Sequence, residues 1–134
     1  MSLRGSCLCG TVSYEIDGID SPVRHCHCVT CRKAHASAFN TSAGIPRERF
    51  RWLSGENMLT AFESSPGKFR RFCSVCGSHI LSEHPERRYV MLRVATLDDD
   101  PGVRPAEHIW MSEAAPWLKD PKFVDRHAGW YPGY

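Results

Sequence analysis

Seven cysteines in three tight groups constrain this chain more than any other feature of its sequence. Cys7 and Cys9 form C-x-C, Cys26, Cys28 and Cys31 form C-x-C-x-x-C, and Cys73 and Cys76 form C-x-x-C. Thiols this dense pair as disulfides, carry out redox chemistry or hold a metal. Their number is odd, so a complete disulfide scheme leaves one thiol over. The opening stretch MSLRGSCLCGTVSYEI has no apolar signal-peptide core. No apolar run reaches the roughly 18 residues that span a bilayer. These readings predict no membrane association and a reducing cytoplasm, where structural disulfides are rare. Metal ligation is the stronger reading.

Tetrahedral zinc, with Zn–S near 2.3 Å, holds its sulfurs about 3.8 Å apart. Cysteines two or three apart in a tight turn reach that spacing, and backbone N–H groups in the turn can hydrogen-bond the thiolates. Gly10 and Gly77, directly after Cys9 and Cys76, suit such turns. An all-sulfur ligand set favours zinc, with an iron–sulfur centre as the alternative. Four thiols close one site and three remain. Cys26, Cys28 and Cys31 can converge locally, so spacing favours Cys7 and Cys9 with Cys73 and Cys76. The triplet is then a second site with one vacant position, the pattern of a catalytic zinc. Spacing does not fix this pairing, and a distant histidine can close the triplet. If HCHC is extended, Cys26 and Cys28 face one way while His25 and His27 face the other, behind the ligands or in solvent. His35, His79 and His84 are candidates for a fourth ligand or a proton carrier.

The rest of the chain reads as strands. TVSYEI alternates Val12, Tyr14 and Ile16 with polar residues, and DGIDSP ends it with turn formers. RERFRWL puts Arg47, Arg49 and Arg51 opposite Phe50 and Trp52. MLTAF, KFRRFC, HILSEH and YVMLRVATL are further short runs, separated in part by SG, SSPG and DDDPG. This pattern predicts an antiparallel all-β domain over residues 1–134. VTCRKAHAS is a candidate for a short helical turn, ATLDDDP for a loop, and residues 119–134 for an extended C-terminal tail lying on the body. The net charge of +2 gives little reason to expect nucleic acid.

The motifs resemble those of the glutathione-dependent formaldehyde-activating enzyme and centromere protein V family. GSCLCGTVSYEI is similar to its opening G-x-C-x-C-G strand, and HCHCVTCRKAHASAF to its central C-H-C-x-x-C-R motif. RRFCSVCGSHI and HIWMSEAAPW are similar to its F-C-x-x-C-G and closing H-I-W … W segments. The resemblance runs from Gly5 to about Trp117. It implies a zinc-containing β-tent fold with two zinc ions per chain. One would be structural at Cys7, Cys9, Cys73 and Cys76, and one catalytic at Cys26, Cys28 and Cys31. The implied activity is a carbon–sulfur lyase that interconverts S-hydroxymethylglutathione with glutathione and formaldehyde. Two positions depart from the pattern: Ala36 stands where glycine is frequent, and His79 where proline is common.

Three thiolates leave a zinc centre with a charge of about −1, better suited to holding a fourth thiolate than to making hydroxide. A bound small-molecule thiol such as glutathione would be deprotonated and could add to an aldehyde. Arg32 and Lys33, beside the triplet, are candidates to receive a glutathione carboxylate. One rival reading is a non-enzymatic zinc module that binds protein or nucleic acid. Its basic surface would comprise Arg47, Arg49, Arg51, Lys68, Arg70 and Arg71, interleaved with Trp52, Phe69 and Phe72. The other is a redox protein using Cys73 and Cys76, which requires those thiols to be metal-free.

Overall fold

The computed structural model describes residues 1–133. Its elements in chain order are β1 (Leu3–Ser6), β2 (Ser13–Ile16), β3 (Val23–Cys26), helix α1 (Val29–His35), β4 (Asn40–Pro46) and β5 (Phe50–Ser54). They continue with β6 (Leu59–Ser65), β7 (Lys68–Cys73), β8 (His79–Glu83), β9 (Tyr89–Arg93) and β10 (Pro105–Ile109). A small sheet has the order β1-β2-β5, and a seven-stranded sheet the order β10-β3-β4-β9-β8-β7-β6. The mostly-β expectation holds, and the arrangement is compatible with a β-tent. One pairing differs from the antiparallel reading: β10 runs parallel to β3. Parallel neighbours need a long crossover, and most of the body separates these two strands in sequence.

Alternation in TVSYEI gives β2 its buried face, with Val12, Tyr14 and Ile16 fully buried. The core cluster takes Leu3, Tyr14 and Ile16 from the small sheet and Ile45, Leu81, Val90 and Leu92 from the large one. Tyr14 lies across Gly5, its register partner on β1; a Cβ there would come within 2.2 Å of the ring. The Tyr14 hydroxyl hydrogen-bonds Thr96 Oγ1 at 2.7 Å, and its ring stacks on Phe50 at 5.2 Å. A tyrosine this deep in the core therefore keeps a polar partner.

One expectation needs correction. Arg47–Arg49 form a 3-10 turn, so the strand begins only at Phe50 and the three arginines do not share a strand face. Each has an acidic partner instead: Arg47 meets Glu83 at 2.8 Å, Arg49 meets Asp20, and Arg51 meets Asp17 at 2.6 Å. Residues 119–133 are exposed throughout, and Phe123 and Trp130 keep 72% and 70% of their accessible surface.

Candidate metal centres and the adjoining cleft

The turn after β1 carries Cys7 and Cys9, and the turn between β7 and β8 carries Cys73 and Cys76. Folding brings the four sulfurs within 4.8 Å of one another. Cys7 and Cys9 Sγ are 3.6 Å apart, and Cys9 and Cys73 Sγ 3.9 Å, close to the spacing that tetrahedral zinc needs. Backbone N–H groups already point at the sulfurs: Val12 to Cys7 at 3.2 Å and Val75 to Cys73 at 3.4 Å. Both turns rely on a left-handed glycine, Gly10 at φ 81° and Gly77 at φ 79°. Ser78 Oγ accepts the Leu8 N–H at 3.0 Å and lies 3.3 Å from Cys76 Sγ, so one hydroxyl links the two turns. Hydrogen bonds from the Ser78 side chain and backbone hold the Cys76 thiol down at about 5. Thr11 lowers Cys9 in the same way, whereas burial raises Cys7. Spacing, N–H donors and stabilised thiolates suit a closed four-sulfur metal site.

Cys26 ends β3, while Cys28 and Cys31 start helix α1. Their sulfurs form a second group within 4.8 Å, and no histidine or carboxylate among the described residues joins either group. Cys28 is the helix N-cap, its sulfur accepting the Cys31 N–H at 3.3 Å. Both elements are set by sequence: β3 is buried at its two ends, Val23 and Cys26, and VTCRKAH forms the short helix. Burial pushes Cys26 up to about 12. Cys31 is lowered despite its burial, through hydrogen bonds from Cys28 and from the Arg70 guanidinium, whose Nη2 is 3.8 Å away. Asn40 Nδ2 approaches the same sulfur at 3.9 Å. Three sulfurs beside the Arg70 guanidinium and the Asn40 amide suit a metal–thiolate centre of net negative charge.

The helix ends at Ala36, which adopts φ 50° and ψ 45° and caps with N–H bonds to the carbonyls of Arg32 and Lys33. A left-handed alanine costs roughly 1 kcal/mol relative to glycine, which explains why glycine suits this position. Ala36→Gly is expected to stabilise the protein by about 0.5–1 kcal/mol. Chemical denaturation should show a higher midpoint with an unchanged slope.

Beside Cys28 opens a cleft of about 260 Å³, also lined by Thr30, Ser64, Ser65, Lys68, Arg70, Trp110 and Glu113. The parallel pairing of β10 with β3 carries Trp110 and Glu113 to this point, and Glu113 Oε1 accepts the Val29 N–H at 2.8 Å. Arg70 is only 3% exposed, and its Nε and Nη1 find no partner among the described residues.

The family model described as glutathione-dependent formaldehyde-activating enzyme matches residues 2–113. The chain belongs to this family. A crystal structure of a Rhodobacter sphaeroides protein superposes with a TM-score of 0.63 at 23% identity, covering 78% of this chain and 98% of that one. At that identity the likeness speaks for the fold. No protein of curated function matches the sequence.

Within this formaldehyde-activating family fold, several candidate residues lie elsewhere than the sequence suggested. Arg32 and Lys33 do not line the cleft at Cys28; Lys68 and Arg70, from β7, do. Arg70 was grouped with a basic surface, yet it is buried against Cys31, and Arg71 pairs with Glu83 at 2.5 Å. His27, read as lying behind the ligands or in solvent, is fully buried, with Nε2 2.8 Å from His108 Nδ1. His25 bonds Thr41 Oγ1 at 2.7 Å. His35 and His79 pack edge to face at 4.8 Å, and His84 lies away from both, lining a cavity with Lys68 and Glu83. Sequence reading passed over Glu113 and Arg93. Glu113 lies inside the HIWMSE motif, so a signal was present; Arg93, in an ordinary strand run, offered none.

Proposed function

We propose that this family member is a zinc-dependent carbon–sulfur lyase acting on glutathione–aldehyde adducts, with S-hydroxymethylglutathione as the reference substrate. The observation that carries the reading is the open cleft at Cys28, where a three-sulfur centre meets Lys68, Arg70, Trp110 and Glu113. Cys7, Cys9, Cys73 and Cys76 would hold a structural zinc, and Cys26, Cys28 and Cys31 a second one. The zinc at the triplet would supply a thiolate at neutral pH from a bound thiol.

The chain's own residues account for the remaining requirements. Lys68 and Arg70 offer charge and N–H donors to a glutathione carboxylate; burial and the neighbouring Arg70 and Arg93 charges lower the Lys68 ammonium. Trp110 forms an apolar wall. In the adduct-forming direction a C–S bond forms at the aldehyde carbon, the C=O π pair moves to oxygen, and that oxygen takes a proton. Glu113, fixed by the Val29 N–H at Oε1, keeps Oε2 to take the proton that the thiol loses and pass it to that oxygen, and to return it to sulfur in the reverse direction. No helix among the described residues is long and apolar enough to cross a membrane. Seven unpaired thiols suit a reducing cytoplasm. The pairing of Arg47, Arg49, Arg51 and Arg71 with carboxylates weakens the nucleic-acid alternative.

Calorimetric titration of zinc-loaded protein with glutathione, together with NMR exchange between formaldehyde and its glutathione adduct, tests the reading. Binding and exchange above the spontaneous rate are expected. Absence of exchange with glutathione and with other small thiols overturns it; exchange with another thiol alone overturns only the substrate.

A further inference from the structure

We propose that a second cleft, on the Arg93 side of the cysteine triplet, is a carboxylate-binding site. This cleft, about 320 Å³, is lined by His35, Asn40, Thr41, Ser78, His79 and Arg93 among others, and shares no lining residue with the cleft at Cys28. Arg93 is 5% exposed, and its Nε and Nη2 are buried with no partner among the described residues. His35 Nε2 and His79 Nδ1 are equally buried and unpartnered. Four nitrogens from three side chains around one cleft thus lack hydrogen-bond partners, in a protein interior where such groups are normally paired.

The missing group must supply charge as well as lone pairs. A buried guanidinium costs several kcal/mol unless its charge is matched, and no aspartate or glutamate is among the residues lining the cleft. The triplet sulfurs favour the charged form of Arg93 and so match part of its charge, but Arg70 and Lys68 draw on the same sulfurs, and the hydrogen bonds to Cys31 come from Arg70 and Asn40. Burial, then the Arg93 charge, drives His35 down to about 3, and burial also lowers His79. At neutral pH both rings are therefore uncharged, each with one N–H to give, and Arg93 alone carries the positive charge. One positive charge with several converging donors matches a monoanion with two oxygens. Water would satisfy the donors but add nothing to the partial charge match that the triplet supplies.

The carboxylate has two sources, a glutathione-type substrate or an independent small acid, and the proposal does not depend on lyase activity. The test uses zinc-loaded, ¹⁵N-labelled protein without glutathione, titrated with acetate at neutral pH and constant ionic strength. Imidazole ring nitrogens are the readout. Saturable shifts at His35 and His79 are expected, with affinity about tenfold weaker in Arg93→Gln and retained in Lys68→Gln. Suppression of the shifts by S-methylglutathione identifies the substrate's own carboxylate as the occupant, and persistence identifies an independent acid; both support the site. Absence of saturable shifts in the wild type overturns it. So do equal shifts in Arg93→Gln, or in His79→Phe at His35 should Arg93→Gln not fold.

Discussion

Cys73→Ser is expected to be largely unfolded or insoluble and to retain at most one zinc ion per chain. Cys73 is fully buried and sits 3.9 Å from Cys9 Sγ, 64 positions away in sequence. Its group ties the turn after β1 to the turn after β7, joining the two sheets through four side chains. Structural zinc contributes about 10–16 kcal/mol of binding energy to folding, against a total stability of about 5–15 kcal/mol for an ordinary domain. A serine hydroxyl does not ionise at neutral pH, so the substitution removes a thiolate and leaves a polar group buried in the core. Soluble yield, circular dichroism and zinc content check this. Full recovery of folded protein with two zinc ions would sink the structural assignment of these four cysteines.

Cys28→Ser should behave differently, staying folded while losing one zinc, glutathione binding and exchange activity down to the spontaneous rate. Serine is among the best N-cap residues and can accept the Cys31 N–H that Cys28 Sγ accepts now, so helix α1 keeps its cap. Cys28 is also less buried than Cys26 and Cys31 and lines the open cleft, so the core is little disturbed. The variant therefore separates the ligand role from the structural one. Metal analysis, a melting curve and the glutathione titration read the three consequences independently. Retention of both zinc ions defeats the triplet assignment. Loss of zinc with exchange preserved leaves the metal site standing and removes it from the chemistry.

Local pattern carried much of this. The alternation in TVSYEI reflects a two-residue period that backbone geometry imposes, and Val12, Tyr14 and Ile16 bury as that period demands. The cysteine spacings were legible because thiols two or three residues apart in a turn converge whatever surrounds them. The division into four and three sulfurs was only favoured by spacing, and tertiary contact brought Cys7 and Cys9 to Cys73 and Cys76. RERFRWL misled because its alternation is also that of a charged turn entering a short strand. Which arginines meet carboxylates depends on distant elements such as Glu83 and Asp20.

The sequence by itself determined the grouping of the cysteines, the strand-rich composition and the family, because these reside in residue type and short spacing. Only the tertiary structure decided what surrounds the triplet. Arg70 and Arg93 sit in strand runs where an inward arginine looks no different from an outward one, until the sheet order β9-β8-β7 is known. Trp110 and Glu113 reach the cleft at Cys28 only because β10 returns to pair in parallel with β3, a contact some 80 residues apart in sequence. Charge placement of this kind is non-local: strand register sets which side chains face inward, and burial then decides whether each one needs a partner.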